Sequence, residues 1–293
     1  MSQSTPQQWQ HAGKQFAFQG AQVFYKEKGK GPVLLCLHGY PTGSWDWRRV
    51  WDELAEEYRV IAPDLLGFGF SDKPRGPYSL LQQADLVTAL LRHLRISQMS
   101  ILAHDYGANV TQELLARYHE GGAGLPRFHA VCFLNACLFP ENYRPDLGTK
   151  LMMSPLGGLL AACYTRARFE KRCNRLCAPG RQLDKEELGH AWDMVRREGG
   201  RTLLAKLAGY PAERTKHRER WVSALQRTSV PLRLIDGAMD PIAGTHMAER
   251  YRELVPHGDL TYLEDCGHFP HLEQPAAMLR ALQAFMKRIA PAN

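Results

Sequence analysis

Residues 100–108 read Ser-Ile-Leu-Ala-His-Asp-Tyr-Gly-Ala, an apolar run that meets a helix-forming stretch with no linker between them. Such a join needs a buried strand that turns into a helix at a single residue, with small side chains on either side of the bend. Residues 99–102 predict the strand, Ala103 and Gly107 are the small flanks, and residues 108–118 predict the helix. Asp105 stands at the apex, the place where such a bend presents a nucleophile. Ala103 replaces the usual first glycine of a small-x-nucleophile-x-Gly pattern, and no Gly-x-Ser-x-Gly occurs in the chain. An isolated Asp beside Gly is most often just a turn. Its position after an apolar strand makes Asp105 the candidate nucleophile.

Around this bend, short apolar runs alternate with amphipathic stretches, which predicts an α/β fold with a mostly parallel sheet and helices on both faces. Residues 16–24, broken at Gln19-Gly20, predict an opening hairpin. Further strands are predicted at 32–38, 58–63, 99–104, 129–134, 232–236 and 260–263. Ser79 with Gln82 forms a capping-box pattern ahead of Ala84, Val87, Leu91 and Leu94, which share one helix face. Met278, Leu282, Phe285 and Ile289 repeat at the same period near the end of the chain. From 138 to about 227 the alternation stops and the pattern becomes charged and helical, at 186–197, 201–207 and 214–225. The expected organisation is therefore a core segment over 1–137, a helical cap over 138–227 inserted after the sixth strand, and a second core segment over 228–293. Ligands of open α/β sheets bind at the strand ends that such a cap covers.

With 293 residues, 23% charged and 44% hydrophobic, the chain is long enough for one sizeable core with an insertion. Residues 1–11 are polar and Gln-rich without an apolar h-region, and no run of eighteen apolar residues follows, so no transmembrane segment and a cytoplasmic location are expected. Seven cysteines without a regular framework fit reduced thiols. Cys173 and Cys177 lie one helical turn apart but no second pair accompanies them, so neither a metal nor a cofactor is expected. Nothing resembles a nucleic-acid module. Between residues 165 and 220, fifteen Arg and Lys face eight Asp and Glu, a surplus equal to the formal +7 of the whole chain. The mixed signs fit a solvated helical face, while attraction of anionic substrates or an acidic membrane surface stays open. The oligomeric state is also open.

Two further reacting groups fall on loops after strands. The strand at 232–236 runs into Gly237-Ala238-Met239-Asp240-Pro241, and that at 260–263 into Glu264-Asp265-Cys266-Gly267-His268-Phe269-Pro270-His271. Asp105, Asp240 and His268 thus follow in the order nucleophile, acid, histidine. Asp236, at the end of its strand, and Asp265, too near His268, are weaker candidates for the acid. His271 is the rival histidine. His38 reads as a turn residue near the site.

Three stretches carry a resemblance: His38-Gly39-Tyr40-Pro41 with Trp45 downstream, Asp64-Leu65-Leu66-Gly67-Phe68-Gly69-Phe70-Ser71-Asp72-Lys73-Pro74, and His104-Asp105-Tyr106-Gly107. Together they resemble the epoxide hydrolase and haloalkane dehalogenase branch of the α/β-hydrolases, over residues 16–289. Within that branch, Leu138-Phe139-Pro140-Glu141-Asn142-Tyr143-Arg144-Pro145 and Arg220-Trp221-Val222-Ser223-Ala224-Leu225 resemble the cap of the mesoderm-specific transcript subgroup.

The resemblance implies an enzyme that hydrolyses a small, largely apolar molecule through an alkyl ester on Asp105. A carboxylate is ionised at neutral pH and can attack saturated carbon without a base. His268 would then activate water with Asp240 behind it, and the backbone N–H groups of Tyr40 and Tyr106 would meet the oxyanion. Epoxide opening calls for cap tyrosines, with Tyr210 the first candidate and Tyr143 or Tyr164 its partner. Halide release calls for paired N–H donors, commonly a Trp after the nucleophile, where this chain has Tyr106. Trp45, His38, Tyr143 and Tyr210 are the candidate substrate-side residues. Asn135 lies near the place where some dehalogenases carry their acid. An epoxide hydrolase-like activity is expected first, a haloalkane dehalogenase second, and a non-catalytic binding or regulatory protein on the same fold third.

Overall fold

In the computed structural model, residues 4–122 and 124–289 are described. Residues 1–3, 123 and 290–293 lie outside them, including the outer ends of the polar tail and of the second core segment. The strands are β1 (Lys14–Phe18), β2 (Ala21–Lys28), β3 (Val33–Leu37), β4 (Arg59–Pro63), β5 (Gln98–His104), β6 (Arg127–Leu134), β7 (Leu232–Gly237) and β8 (Asp259–Leu263). They form one sheet in the order β1-β2-β4-β3-β5-β6-β7-β8. The β1–β2 and β2–β4 pairs are antiparallel and every later pair is parallel.

Because successive side chains alternate across a strand, the apolar runs furnish two cores at once. Leu35 and Leu37 of β3 and Val131 and Phe133 of β6 face one side, while Leu34, Cys36, Cys132 and Leu134 face the other. Helices α1 (Pro6–His11) and α2 (Trp51–Glu57) cover the second side, and α3 (Leu80–His93) and α4 (Tyr106–His119) cover the first. Helix α1 lies within the stretch read as a polar tail. Thr5 and Gln8 cap it reciprocally, and the Trp9 indole, fully buried, donates to Ser44 Oγ at 3.1 Å. One aromatic therefore anchors a segment whose composition reads as solvated.

Between β6 and β7 the chain forms the helices α5 (Leu147–Met152), α6 (Gly157–Ala162), α7 (Arg166–Leu176), α8 (Lys185–Arg196), α9 (Gly200–Leu207), α10 (Tyr210–Lys216) and α11 (Arg218–Arg227). The helix read over 214–225 is two helices, separated at His217, whose ψ of 12° leaves the helical range. Helices α12 (Thr245–Leu254), α13 (Pro270–Glu273) and α14 (Pro275–Ile289) complete the fold. The inner face of α14 buries Met278, Leu279, Leu282 and Phe285. Each such side chain contributes ~1.5–3 kcal/mol relative to exposure.

Polar anchors fasten the inserted helices to the core. Glu113 of α4 accepts the Trp221 indole N–H at 2.7 Å and the Arg117 Nε–H at 2.7 Å, and it also pairs with Arg220. Glu187 of α8 pairs with Arg48 at 2.8 Å and with Arg49 at 2.6 Å. No helix among the described residues is long and apolar enough to cross a membrane.

Candidate active site

Asp105 joins β5 to α4 directly, with a φ of 42°. Left-handed backbone at a non-glycine residue costs ~1–3 kcal/mol and persists only where its surroundings enforce it. Gly107 belongs to that enforcement: a Cβ there would meet the Leu37 carbonyl oxygen at 2.4 Å, so α4 packs against β3 only with glycine at this position. The bend leaves the Asp105 carboxylate buried but facing a cavity of about 220 Å³ between the sheet's carboxyl edge and the inserted helices.

Both carboxylate oxygens have partners. Oδ2 accepts the Tyr40 backbone N–H at 3.1 Å, and Oδ1 accepts the Tyr210 hydroxyl at 3.2 Å. Tyr106 is the first residue of α4, where the backbone N–H has no intrahelical acceptor. Its ring packs between Phe68 and Tyr210, with centroids 5.1 and 5.0 Å away. Beside Asp105, the cavity is lined by His268, Tyr40, Tyr143, Tyr164 and Tyr210.

His268 Nδ1 donates to Asp240 Oδ2 at 2.7 Å. That carboxylate also accepts Asn135 Nδ2 at 3.0 Å and the Ile242 N–H at 2.8 Å. Burial works against charge on both groups, yet the imidazole and these donors hold the Asp240 carboxyl below its ordinary value. For His268, burial favours the neutral ring, but Asp240 and then Asp105 outweigh it and raise the imidazole to about 9. Asp236 cannot take the place of Asp240. It is fully buried with both carboxylate oxygens unpartnered, and desolvation followed by the nearby Asp240 pushes it up to about 9, so it is a neutral acid. Asp265 is exposed.

The other histidines are committed elsewhere. His38 Nε2 accepts the Leu65 N–H at 3.0 Å, which puts its proton on Nδ1, 2.8 Å from the Gly39 carbonyl. It fixes the turn before Tyr40 and lies off the cavity lining. His104 Nε2 donates to the His268 carbonyl at 2.9 Å, and burial holds its ring down near 4. His271 is buried against Trp47 and His104, away from the cavity, and burial depresses it strongly. Trp45 also falls outside the lining: its indole donates to the Ser4 carbonyl at 2.9 Å under the Arg48 guanidinium.

Arg214 and Glu273 escape a reading by sequence pattern, and Asn135, named from its place after β6, gains a hydrogen-bonding role that the pattern did not give. Asn135 holds both the β7 end, accepting the Gly237 N–H at 2.8 Å, and the Asp240 carboxylate. Its position after β6 is the available signal. Arg214, buried on α10, places its guanidinium 4.2 Å from the Tyr143 ring and 5.1 Å from the Tyr210 ring. Its spacing of four from Tyr210 was the clue. Glu273 braces the loop of His268 by accepting the N–H groups of Gly267, Phe269 and Ala178, each at 2.8 Å. Asp64 does the same for the glycine loop, accepting the N–H groups of Ser44 and Phe70. Gly67 and Gly69 therefore serve a tight turn.

The cysteines at 173 and 177 are buried free thiols, both raised by desolvation, and Cys177 Sγ contacts the Cys173 carbonyl at 3.4 Å.

Residues 32–275 match the alpha/beta hydrolase fold family. The mesoderm-specific transcript protein of Mus musculus is 37% identical over 292 residues, covering 95% of this chain and 87% of that protein. Among solved structures, the haloalkane dehalogenase DbeA from Bradyrhizobium elkani superposes with a TM-score of 0.79 at 23% identity, over 96% of this chain and 99% of the other. The epoxide hydrolase CorEH gives 0.78 at 19% identity, over 94% and 99%. At such identities the structural likeness is one of fold. A family match over most of the sequence, a relative aligned along nearly its whole length and the eight-stranded sheet agree: this chain belongs to the α/β-hydrolase fold family.

Proposed function

We propose that the protein hydrolyses small, largely apolar epoxides through a covalent ester on Asp105. The observation that carries this reading is the pair of contacts on one carboxylate: a cap hydroxyl, Tyr210, on Oδ1 and a backbone donor, Tyr40, on Oδ2, in a cavity shared with His268.

In the first step Asp105 Oδ1 attacks an epoxide carbon. The C–O bond breaks towards the ring oxygen, which takes the proton of Tyr210, with Tyr143 as the second hydroxyl. Burial raises both phenols, most strongly Tyr210, so they keep their protons until an alkoxide develops. Arg214 then favours the phenolate left behind. In the second step His268 takes a proton from water, whose oxygen attacks the Asp105 Cγ. The oxyanion forms on Oδ2, where the Tyr40 N–H already donates, with the free N–H of Tyr106 at the start of α4 as the second donor. Its collapse breaks the Cγ–Oδ1 bond and expels the diol oxygen, which takes the proton remaining on the attacking oxygen so that Asp105 regains its carboxylate, while the imidazolium returns the other water proton to the tyrosine. Esterification removes the Asp105 charge, one of the anions that hold His268 protonated, which makes the imidazole available as a base when it is needed.

No Trp, Asn or Gln side chain lines the cavity among the described residues, which weighs against paired neutral N–H donors for a halide. The test is to incubate a His268→Gln variant with panels of epoxides and haloalkanes and measure intact mass. A stable adduct on Asp105 from epoxides is expected. Adducts from haloalkanes alone would make the enzyme a dehalogenase, and none from either panel, with folded protein, would favour a binding role.

A further inference from the structure

Of the six large hydrophobic side chains that stand exposed among the described residues, five fall between residues 147 and 159. They are Leu147 at 72%, Leu151 at 45%, Met153 at 38%, Leu156 at 63% and Leu159 at 67% exposure. The pattern follows from how α5 and α6 pack. In α6 the small residues Gly157 and Ala161 are buried, Gly157 lying against the Met152 carbonyl and Ala205 of α9, which turns Leu159 to the opposite side. In α5 the buried residue is Thr149, and Leu147 and Leu151, spaced by four, share an outward face. Scattered single apolar residues on a surface are ordinary, whereas a cluster of this kind marks an interaction face.

The surroundings of the cluster are basic. From residue 147 to residue 169 there is no Asp or Glu, while Lys150, Arg166 and Arg168 fall within it and Lys171, Arg172 and Arg175 follow. Asp146, just before the cluster, is consumed by Arg172 and Arg175. Lys150, Arg168 and Lys171 are exposed and enter no ion pair among the described residues. The cavity beside Asp105 is lined by these same elements, by Gly148, Thr149 and Met152 from α5 and by Arg168, Lys171 and Arg175 from α7.

We propose that this face docks on an anionic phospholipid bilayer, with Leu147, Leu151, Leu156 and Leu159 entering the acyl boundary and Lys150, Arg168 and Lys171 meeting the headgroups. Charge complementarity selects the occupant. A second copy of this +7 chain would bring the same cations against each other, whereas an acidic lipid surface neutralises them while it covers the leucines. The docked orientation brings the α5 and α7 side of the cavity towards the bilayer, so an apolar substrate dissolved in lipid has a short path to Asp105.

Flotation of the full-length protein with phosphatidylcholine vesicles, with and without phosphatidylglycerol, tests the proposal, and no readout depends on catalysis. Binding is expected to vesicles containing phosphatidylglycerol, to weaken with added salt, and to fall roughly tenfold or more in a Leu156→Glu/Leu159→Glu variant. An Arg168→Glu/Lys171→Glu variant is expected to lose the preference for anionic vesicles. A Leu147→Ser/Leu151→Ser variant serves as the independent check, and circular dichroism establishes that each variant is folded. Absence of flotation with both vesicle types would overturn the proposal. So would flotation unchanged in all three folded variants, or a wild-type dimer in sedimentation velocity that these leucine substitutions convert to a vesicle-indifferent monomer.

Discussion

Asp105 combines a strained backbone with a fully engaged carboxylate, and the two are linked. The bend that sets φ at 42° is what brings one oxygen to Tyr40 of the β3 loop and the other to Tyr210 of α10. Under the proposed chemistry the two contacts act in different steps, since Tyr210 serves ring opening and Tyr40 serves ester hydrolysis. Replacing Tyr210 by Phe is therefore expected to slow adduct formation by about 10²-fold while leaving hydrolysis of a formed ester nearly unchanged. Rapid-quench measurement of the two steps separates them, and equal slowing of both would remove the proton-donor role. His268 shows the same dependence on its partners, because its affinity for a proton reflects Asp240 and Asp105 working against burial.

The strand-to-helix bend and the two loops after β7 and β8 were legible in the sequence because their residues are contiguous and their order fixes which chain end supplies each group. Tyr210 was legible by its place in the helical segment between β6 and β7. Asn135 was named only by its place, and Glu273 not at all, because their roles arise from contacts across the fold, Asn135 reaching Asp240 over 105 positions. Helices α5 and α6 were missed for a different reason: each is only six residues long and exposes leucines, so the usual inward apolar stripe is absent. Helix α7 does bury Phe169, Cys173 and Leu176, but that short stripe is set among charged residues and was also missed. The break between α10 and α11 also carries no Gly or Pro signal, since His217 occupies it. Glu113 ties α11 to α4 through Arg220 and Trp221 and pairs with Arg117 on its own helix. Glu113→Gln is expected to lower unfolding free energy by roughly 1–3 kcal/mol in denaturant titrations, discounted for the partial exposure of both arginines. Burial opposes ionisation of Glu113, but its arginine and tryptophan partners hold the carboxyl below its ordinary value. This contribution is thus present at neutral pH and lost as pH falls through the depressed value.

The sheet and the helices inserted between β6 and β7 line the cavity beside Asp105, so the proposed chemistry and the stability of the fold draw on the same charges. The His268 imidazole, raised from 6.5 to about 9 in the folded state, supplies stability that is fully present below pH 6.5 and disappears as pH rises through 9. Unfolding curves of the wild type and His268→Gln are expected to differ most below pH 6.5 and to converge by on the order of 2–3 kcal/mol towards pH 9. Parallel curves across that range would show that His268 is not held protonated by its neighbours. The covalent route itself is read by a single turnover with excess enzyme in heavy-oxygen water, followed by mass spectrometry of the Asp105 peptide and of the product. The label is expected in the Asp105 carboxylate, with the first product carrying the enzyme's original oxygen. Label in the product and none in Asp105 would contradict an ester on this residue.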